Sequence, residues 1–160
     1  MARVLTMTIE TKLAEMGITL PCVAPSVGAY ISGVRSGNLL FISGQLPSHG
    51  GKVLISGKVG QEVTLDHARD AARLCAINAL AAVKDHLGSL EKVEQIVRLD
   101  VFVNSAPGFT EQPQVANGAS RMLHEVFGSA GRHARLAVGV SELPLNAAVE
   151  LTMIVEIKSD

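Results

Sequence analysis

Tryptophan is absent and aromatic residues are scarce: one Tyr and four Phe in 160 residues. That leaves no set of ring faces on which the bases of a single strand would stack. A basic block is missing as well. Lys and Arg number 14 against 15 Asp and Glu, a net charge of −1, which disfavours a surface that tracks phosphates. No apolar run reaches the roughly 18 residues that a membrane-spanning helix needs. The first ten residues hold no long apolar segment, so a secretory signal is not expected. Cysteine is confined to Cys22 and Cys75. Two widely separated thiols fit no metal spacing and read as the reduced cysteines of a cytoplasmic protein. The five histidines, His49, His67, His86, His124 and His133, show no metal spacing either, so no metal site is expected. Neither a phosphate loop nor a Gly-x-Ser-x-Gly nucleophile turn occurs.

What is present is aliphatic. Hydrophobic residues make up 48% and charged residues 18%, with a mean hydropathy of +0.31. A chain of this length is one domain and buries roughly 70% of its unfolded surface without a staple. Its core must come from Ala, Val, Leu and Ile. The apolar surplus points to further burial between subunits.

Periodicity orders the chain. Residues 8–16 read as a short helix capped by Thr8, with Ile9, Leu13 and Met16 on one face and Gly17 ending it. Residues 18–28, with Pro21, Pro25 and Gly28, are an irregular lead-in. Residues 29–35 and 39–43 flank Ser36-Gly37-Asn38 as a hairpin. A loop rich in Gly, Lys and Ser follows over 47–60, with room for a short strand at 52–55. Residues 64–87 carry Ala68, Ala72, Cys75, Ala76, Ala79, Leu80 and Val83 at helical spacing, ended by Gly88. So many alanines suit close packing on a flat partner such as a sheet. Residues 95–104 alternate as a strand. Thr110 is the expected cap of a second helix to about Phe127, with Val115, Ala119, Met122, Leu123 and Val126 inward. Gly128 to Gly131 reads as a flexible link. Residues 134–141 and 147–158 are two more strands. The order predicts an α+β fold: one mixed sheet with two helices on one face.

The last two strands carry charge where apolar residues are expected. Leu136, Val138 and Val140 share one parity, and Arg135, Ala137, Gly139 and Ser141 the other. In the final strand Glu150 opposes Val149, Leu151, Met153, Val155 and Ile157. If the two strands pair as an antiparallel hairpin, Arg135 and Glu150 are neighbours facing away from the helices. One reading is a surface ion pair, contributing ~0–1 kcal/mol. The other is a cleft covered by a second subunit. There the Arg fork would bind a carboxylate with two parallel hydrogen bonds, and Glu would hold or activate a water.

Three segments resemble one family. Gly28-Ala29-Tyr30-Ile31-Ser32-Gly33-Val34 is followed by a strand ending in Ser43-Gly44-Gln45-Leu46-Pro47. Val101-Phe102-Val103 marks a middle strand, and Arg135, Leu143-Pro144 and Glu150 close the pattern in order. Together they resemble the RidA/YjgF family, over about residues 25–158. The resemblance implies residues 25–160 as the family domain, with 1–24 as an extension. It also implies a chorismate-mutase-like α+β fold and a homotrimer with clefts between subunits. The implied activity is hydrolysis of reactive 2-imino or enamino acids to 2-keto acids and ammonia, without a cofactor. Arg135 resembles the carboxylate-binding arginine, Glu150 the glutamate that positions water, and Tyr30, Ser43 and Gly44 residues of the pocket. Two departures mark a divergent branch: His133 stands where the family commonly has Pro, and Ala137 where Cys is frequent. Two further readings stay open: a non-catalytic trimer that binds small carboxylates or keto acids, and an endoribonuclease, which neutral charge and few aromatics disfavour. Among the other polar residues, Asn117 reads as a turn cap and His133 as a loop histidine.

Overall fold

The structure is a computed structural model and describes residues 7–23, 25–26 and 28–159. The first six residues and the lead-in positions Ala24 and Val27 lie outside the described residues. The Thr8 hydroxyl accepts from the Thr11 amide and opens helix α1 (Ile9–Glu15), satisfying one of the amides a helix start leaves unpaired. Strands β1 (Gly33–Ser36) and β2 (Leu39–Gln45) meet through a two-residue turn, with Gly37 at φ +59°. A small ribbon of β3 (Ser48–His49) and β4 (Lys52–Val53) follows. Helix α2 (Leu65–Leu87) has Thr64 as its cap and the left-handed Gly88 as its end. All seven residues of its expected apolar stripe are fully buried. Then come β5 (Val93–Asn104), α3 (Gln112–Phe127), β6 (Ala134–Val140) and β7 (Val149–Ile157).

Five strands form one mixed sheet in the order β1-β2-β7-β5-β6. Only β5 and β6 run parallel. Helices α2 and α3 pack over the face lined by Leu99, Val101, Val103, Leu151, Met153 and Val155, all buried. The two helices lie close because Gly118 has no side chain; a Cβ there would overlap the backbone of Arg69. The opposite face is uncovered in the single chain. Phe41 and Leu136 are exposed there, and Phe102, Val138 and Ile154 half-buried. Among the described residues no helix is long and apolar enough to cross a membrane.

The expected β6–β7 hairpin does not form. Strand β5 lies between them, paired with β6 on one side and β7 on the other. The cause is α3, which carries the chain back across the sheet, so that β6 runs parallel to β5 as a crossover connection dictates. The parity of β6 also reverses. Arg135 is in register with the buried Leu99, and Leu136 with Asp100, so Arg135 faces α3 and Leu136 the open face. As an edge strand, β6 has little core to bury, and its apolar alternation does not decide which side turns inward. Thr110 is not a cap: Glu111 precedes α3 and makes no capping bond. The alternation of β5 breaks where its pairing with β7 shifts between Ile96 and Arg98, which buries both Ile96 and Leu99. Gly128 to Gly131 form a 3-10 turn where a flexible link was expected.

Candidate functional site

Glu150 is placed by an irregularity in its neighbour. The pairing of β2 with β7 shifts between Ile42 and Gln45, and Ser43 and Gly44 form the bulge. Glu150 points to the open face beneath it. A Cβ on Gly44 would overlap Oε1 of Glu150, so only glycine leaves the carboxylate its place. Among the described residues Glu150 has no salt bridge. Half-buried with no cation to offset desolvation, its carboxyl is lifted above the usual carboxylate range. On the other side of β7, the Cys75 thiol lies 3.6 Å from the Val149 carbonyl. Burial pushes that thiol well up, as expected of a core cysteine, whereas Cys22 is exposed.

The bulge also fixes Tyr30. The Ser43 hydroxyl donates to the Ile31 carbonyl at 2.7 Å, and the Ser43 amide to the Ser32 carbonyl at 2.9 Å. These bonds hold the chain before β1 against β2 and leave Tyr30 about half exposed. Tyr30 and Gly44 share the wall of a cavity of about 420 Å³ with Cys22, Ser32, Asn78 and Leu145. The Asn78 amide donates to the carbonyls of Leu46 and Ser48 at 3.0 and 2.9 Å, which ties the wall to α2.

The Leu145 wall comes from residues that sequence reasoning missed. Leu145 and Asn146 hold φ of +55° and +56°, a conformation uncommon for non-glycine residues. Asn104, fully buried at the end of β5, donates to Oδ1 of Asn146 and to the Ala147 carbonyl, both at 3.2 Å. Lys58 donates to Oδ1 of Asn104 at 2.8 Å and to the Ser141 carbonyl, and lies 3.6 Å from Glu142. The available signal was an Asn closing an apolar alternation: a buried amide needs partners, and here they fix the loop before β7.

Arg135 sits apart from both. Its Nη1 donates to Oδ1 of Asn117 at 2.8 Å and to Oγ of Ser120 at 3.2 Å, both on α3. Asn117 is therefore an arginine partner and not a turn cap. Ser120 Oγ lies 2.9 Å from Nε2 of His133, whose Nδ1 lies 2.7 Å from the Gly131 carbonyl. Arg135 pairs with Leu99 and Glu150 with Phe102, on either side of β5. Two strand spacings and three residues of β5 put their Cα atoms about 14 Å apart, with the side chains on opposite faces. One chain thus brings Tyr30 and Gly44 together at the cavity, sets Gly44 over Glu150, and leaves Arg135 on the other side of the sheet.

Known proteins resemble this chain in sequence and in fold. A protein of Trypanosoma cruzi, Protein TCP17, is 44% identical over 152 residues, covering 94% of this chain and 95% of its own. The 2-iminobutanoate/2-iminopropanoate deaminase of Dermatophagoides farinae is 29% identical over 141 residues, covering 88% and 95%. The crystal structure of Atu1372 from Agrobacterium tumefaciens superposes with a TM-score of 0.88 at 48% identity, covering 95% of this chain and 93% of that one. Residues 10–157 match the family described as "YjgF/chorismate mutase-like, putative endoribonuclease". With that match over most of its length, and with the mixed sheet and helix layer in place, this chain belongs to the YjgF/chorismate mutase-like family.

Proposed function

We propose that this protein hydrolyses 2-imino or enamino acids to 2-keto acids and ammonia, at sites completed between copies of the chain. The observation that carries the reading is the Glu150 carboxylate, half-buried beneath Gly44 and ionically unpaired. A carboxylate held this way accepts a hydrogen bond from a water and draws off its proton as the water attacks the imine carbon. Its raised pKa makes it a better base than an ordinary surface glutamate. The substrate carries a carboxylate beside its C=N bond, and Arg135 supplies the complementary fork. Addition of water to the carbon gives a carbinolamine. The proton taken from water passes to the imine nitrogen as the carbinolamine forms. A second transfer, from the carbinolamine hydroxyl to that nitrogen, lets ammonia leave as the C=O forms. The imine is reactive already, so positioning of water and carboxylate is the main demand. The relative named as a 2-iminobutanoate/2-iminopropanoate deaminase supports this chemistry.

Arg135 and Glu150 of one chain are too far apart to hold one small substrate. The reading therefore requires Arg135 of one copy to meet Glu150, Gly44 and Tyr30 of another. The uncovered sheet face, with Phe41 and Leu136 exposed, suits burial against neighbouring copies, and we infer a homotrimer. A light-scattering mass of three times the 16.8 kDa chain mass is expected; a monomer would sink both the trimer and the shared site. The activity is tested with an amino-acid oxidase generating imino acids in the presence of semicarbazide. Faster keto-acid release by wild type but not by Arg135→Ala is the expected result. No acceleration across a broad amino-acid panel, with keto-acid binding intact, would favour the non-catalytic ligand-binding trimer.

A further inference from the structure

Three groups stand in series beside the Arg135 guanidinium, and their hydrogens can be assigned from the partners alone. The Gly131 carbonyl only accepts, so the Nδ1 of His133 at 2.7 Å carries a proton. In the neutral ring Nε2 then accepts, and the Ser120 hydroxyl donates to it at 2.9 Å. With its single proton committed, Ser120 Oγ presents lone pairs to Nη1 of Arg135 at 3.2 Å. The second Nη1 hydrogen goes to Asn117 at 2.8 Å. Burial of His133 holds its pKa below the usual value. The Gly131 carbonyl opposes that, and the Arg135 charge adds to it. The neutral, accepting ring is the form this geometry needs.

Both hydrogens of Nη1 are thus taken by α3. Nε and Nη2 make no hydrogen bond among the described residues, and they form the edge of a guanidinium that takes a carboxylate side-on. We propose that Ser120 and His133 are positioning residues for Arg135. They lock Nη1 against α3 so that the Nε–Nη2 edge is turned outward before any ligand arrives. His133 occupies the place where the family pattern commonly has proline, which lacks a ring nitrogen to take up the serine proton. A fork oriented in advance loses less entropy on binding. The inference rests on the reading of Arg135 as the carboxylate clamp.

The first test is calorimetric titration of the full-length protein with 2-oxobutanoate. Ser120→Ala and His133→Ala are each expected to weaken binding about tenfold, the scale of one hydrogen bond to a charged group. The double variant should be no weaker than Ser120→Ala alone, because the two act through one contact. Ser120→Thr, which keeps the hydroxyl, should stay within about twofold of wild type. Losses that multiply in the double variant, or equal losses for Ser120→Thr and Ser120→Ala with unchanged melting temperatures, would overturn the proposal. The second test needs no ligand. Guanidinium NMR should show Arg135 Nη1 protons resolved from Nη2 in wild type and averaged in Ser120→Ala; averaging already in wild type overturns the proposal. If wild type and Arg135→Ala both fail to bind 2-oxobutanoate, the clamp reading falls, and the NMR result still decides the positioning.

Discussion

Arg135 and Glu150 are the two charges the candidate site depends on, and the fold treats them in opposite ways. Arg135 is exposed, yet two side chains of α3 hold one of its nitrogens. Glu150 is half-buried, yet it has no ion-pair partner. A group that must recognise a carboxylate gains from being oriented in advance, since an arginine side chain otherwise gives up roughly 2 kcal/mol of rotamer freedom. A group that must move a proton gains from having no ion-pair partner in its own chain, because a cation bonded directly to it would lower its pKa and its basicity, and the Arg135 of a neighbouring copy is taken up by the substrate carboxylate. Under the proposed function, the contrast gives binding to one residue and proton transfer to the other. The two roles should separate in kinetics.

The largest separation is expected at Glu150. Glu150→Gln keeps size and polarity but removes the base, so kcat should fall about 100-fold or more, while affinity for 2-oxobutanoate stays within about twofold of wild type. Equal losses in both would erase the division of labour. Next comes Arg135→Ala. Loss of two charge-assisted hydrogen bonds should weaken 2-oxobutanoate about 100-fold in a calorimetric titration. Arg135→Lys should recover little of it, because an ammonium lacks the planar fork; full recovery would show that charge alone suffices. Gly44→Ala is expected to act through Glu150. The new Cβ meets the end of a flexible side chain, so the carboxylate shifts and the strands do not. A tenfold fall in kcat is the rough expectation for such a misplacement, with little change in melting temperature or affinity. A large loss of stability would mean that the bulge itself cannot take the methyl group.

Much of this was legible in the sequence, unevenly. Alanine spacing, Thr64 and Gly88 located α2 to within a residue, because each end of a helix has its own chemistry. The buried parity of β7 was equally clear, since a central strand packs one whole face against the helices. Strand β6 was misread because an edge strand has little core to report on. Its valines face the open side, and the residues turned toward the helices are Ala137, Gly139 and an arginine whose partners, Asn117 and Ser120, come from a different element. The geometric relation of Arg135 to Glu150 was lost with it. Local alternation says which residues share a face of one strand, while strand order depends on a crossover helix 16 residues long. The residue types proposed for the site come from the family resemblance. Their separation across β5, and the Lys58–Asn104 tether of the Leu145 loop, needed three dimensions.

The smallest predicted effect sharpens the contrast by titration. The Glu150 pKa is raised in the folded protein, so the native state holds that proton more tightly than the unfolded chain. The stability this contributes is fully present below about pH 4.5 and is lost as pH rises through the folded pKa. Glu150→Gln has no such titration. Its melting temperature relative to wild type should therefore climb as pH rises above about 4.5, by a small amount given partial solvent screening. His133 has the opposite sign. Its pKa is lowered on folding, so its contribution is present above about pH 6.5 and is lost as pH falls through the folded value. His133→Ala should then cost most at pH 7.5 and less toward pH 5. Opposite slopes in the two variants would show one charge kept out of water without a partner and one ring kept neutral for the relay to Arg135. A Glu150→Gln difference flat with pH would mean that solvent reaches the carboxylate freely, which would remove the physical basis for treating it as the base.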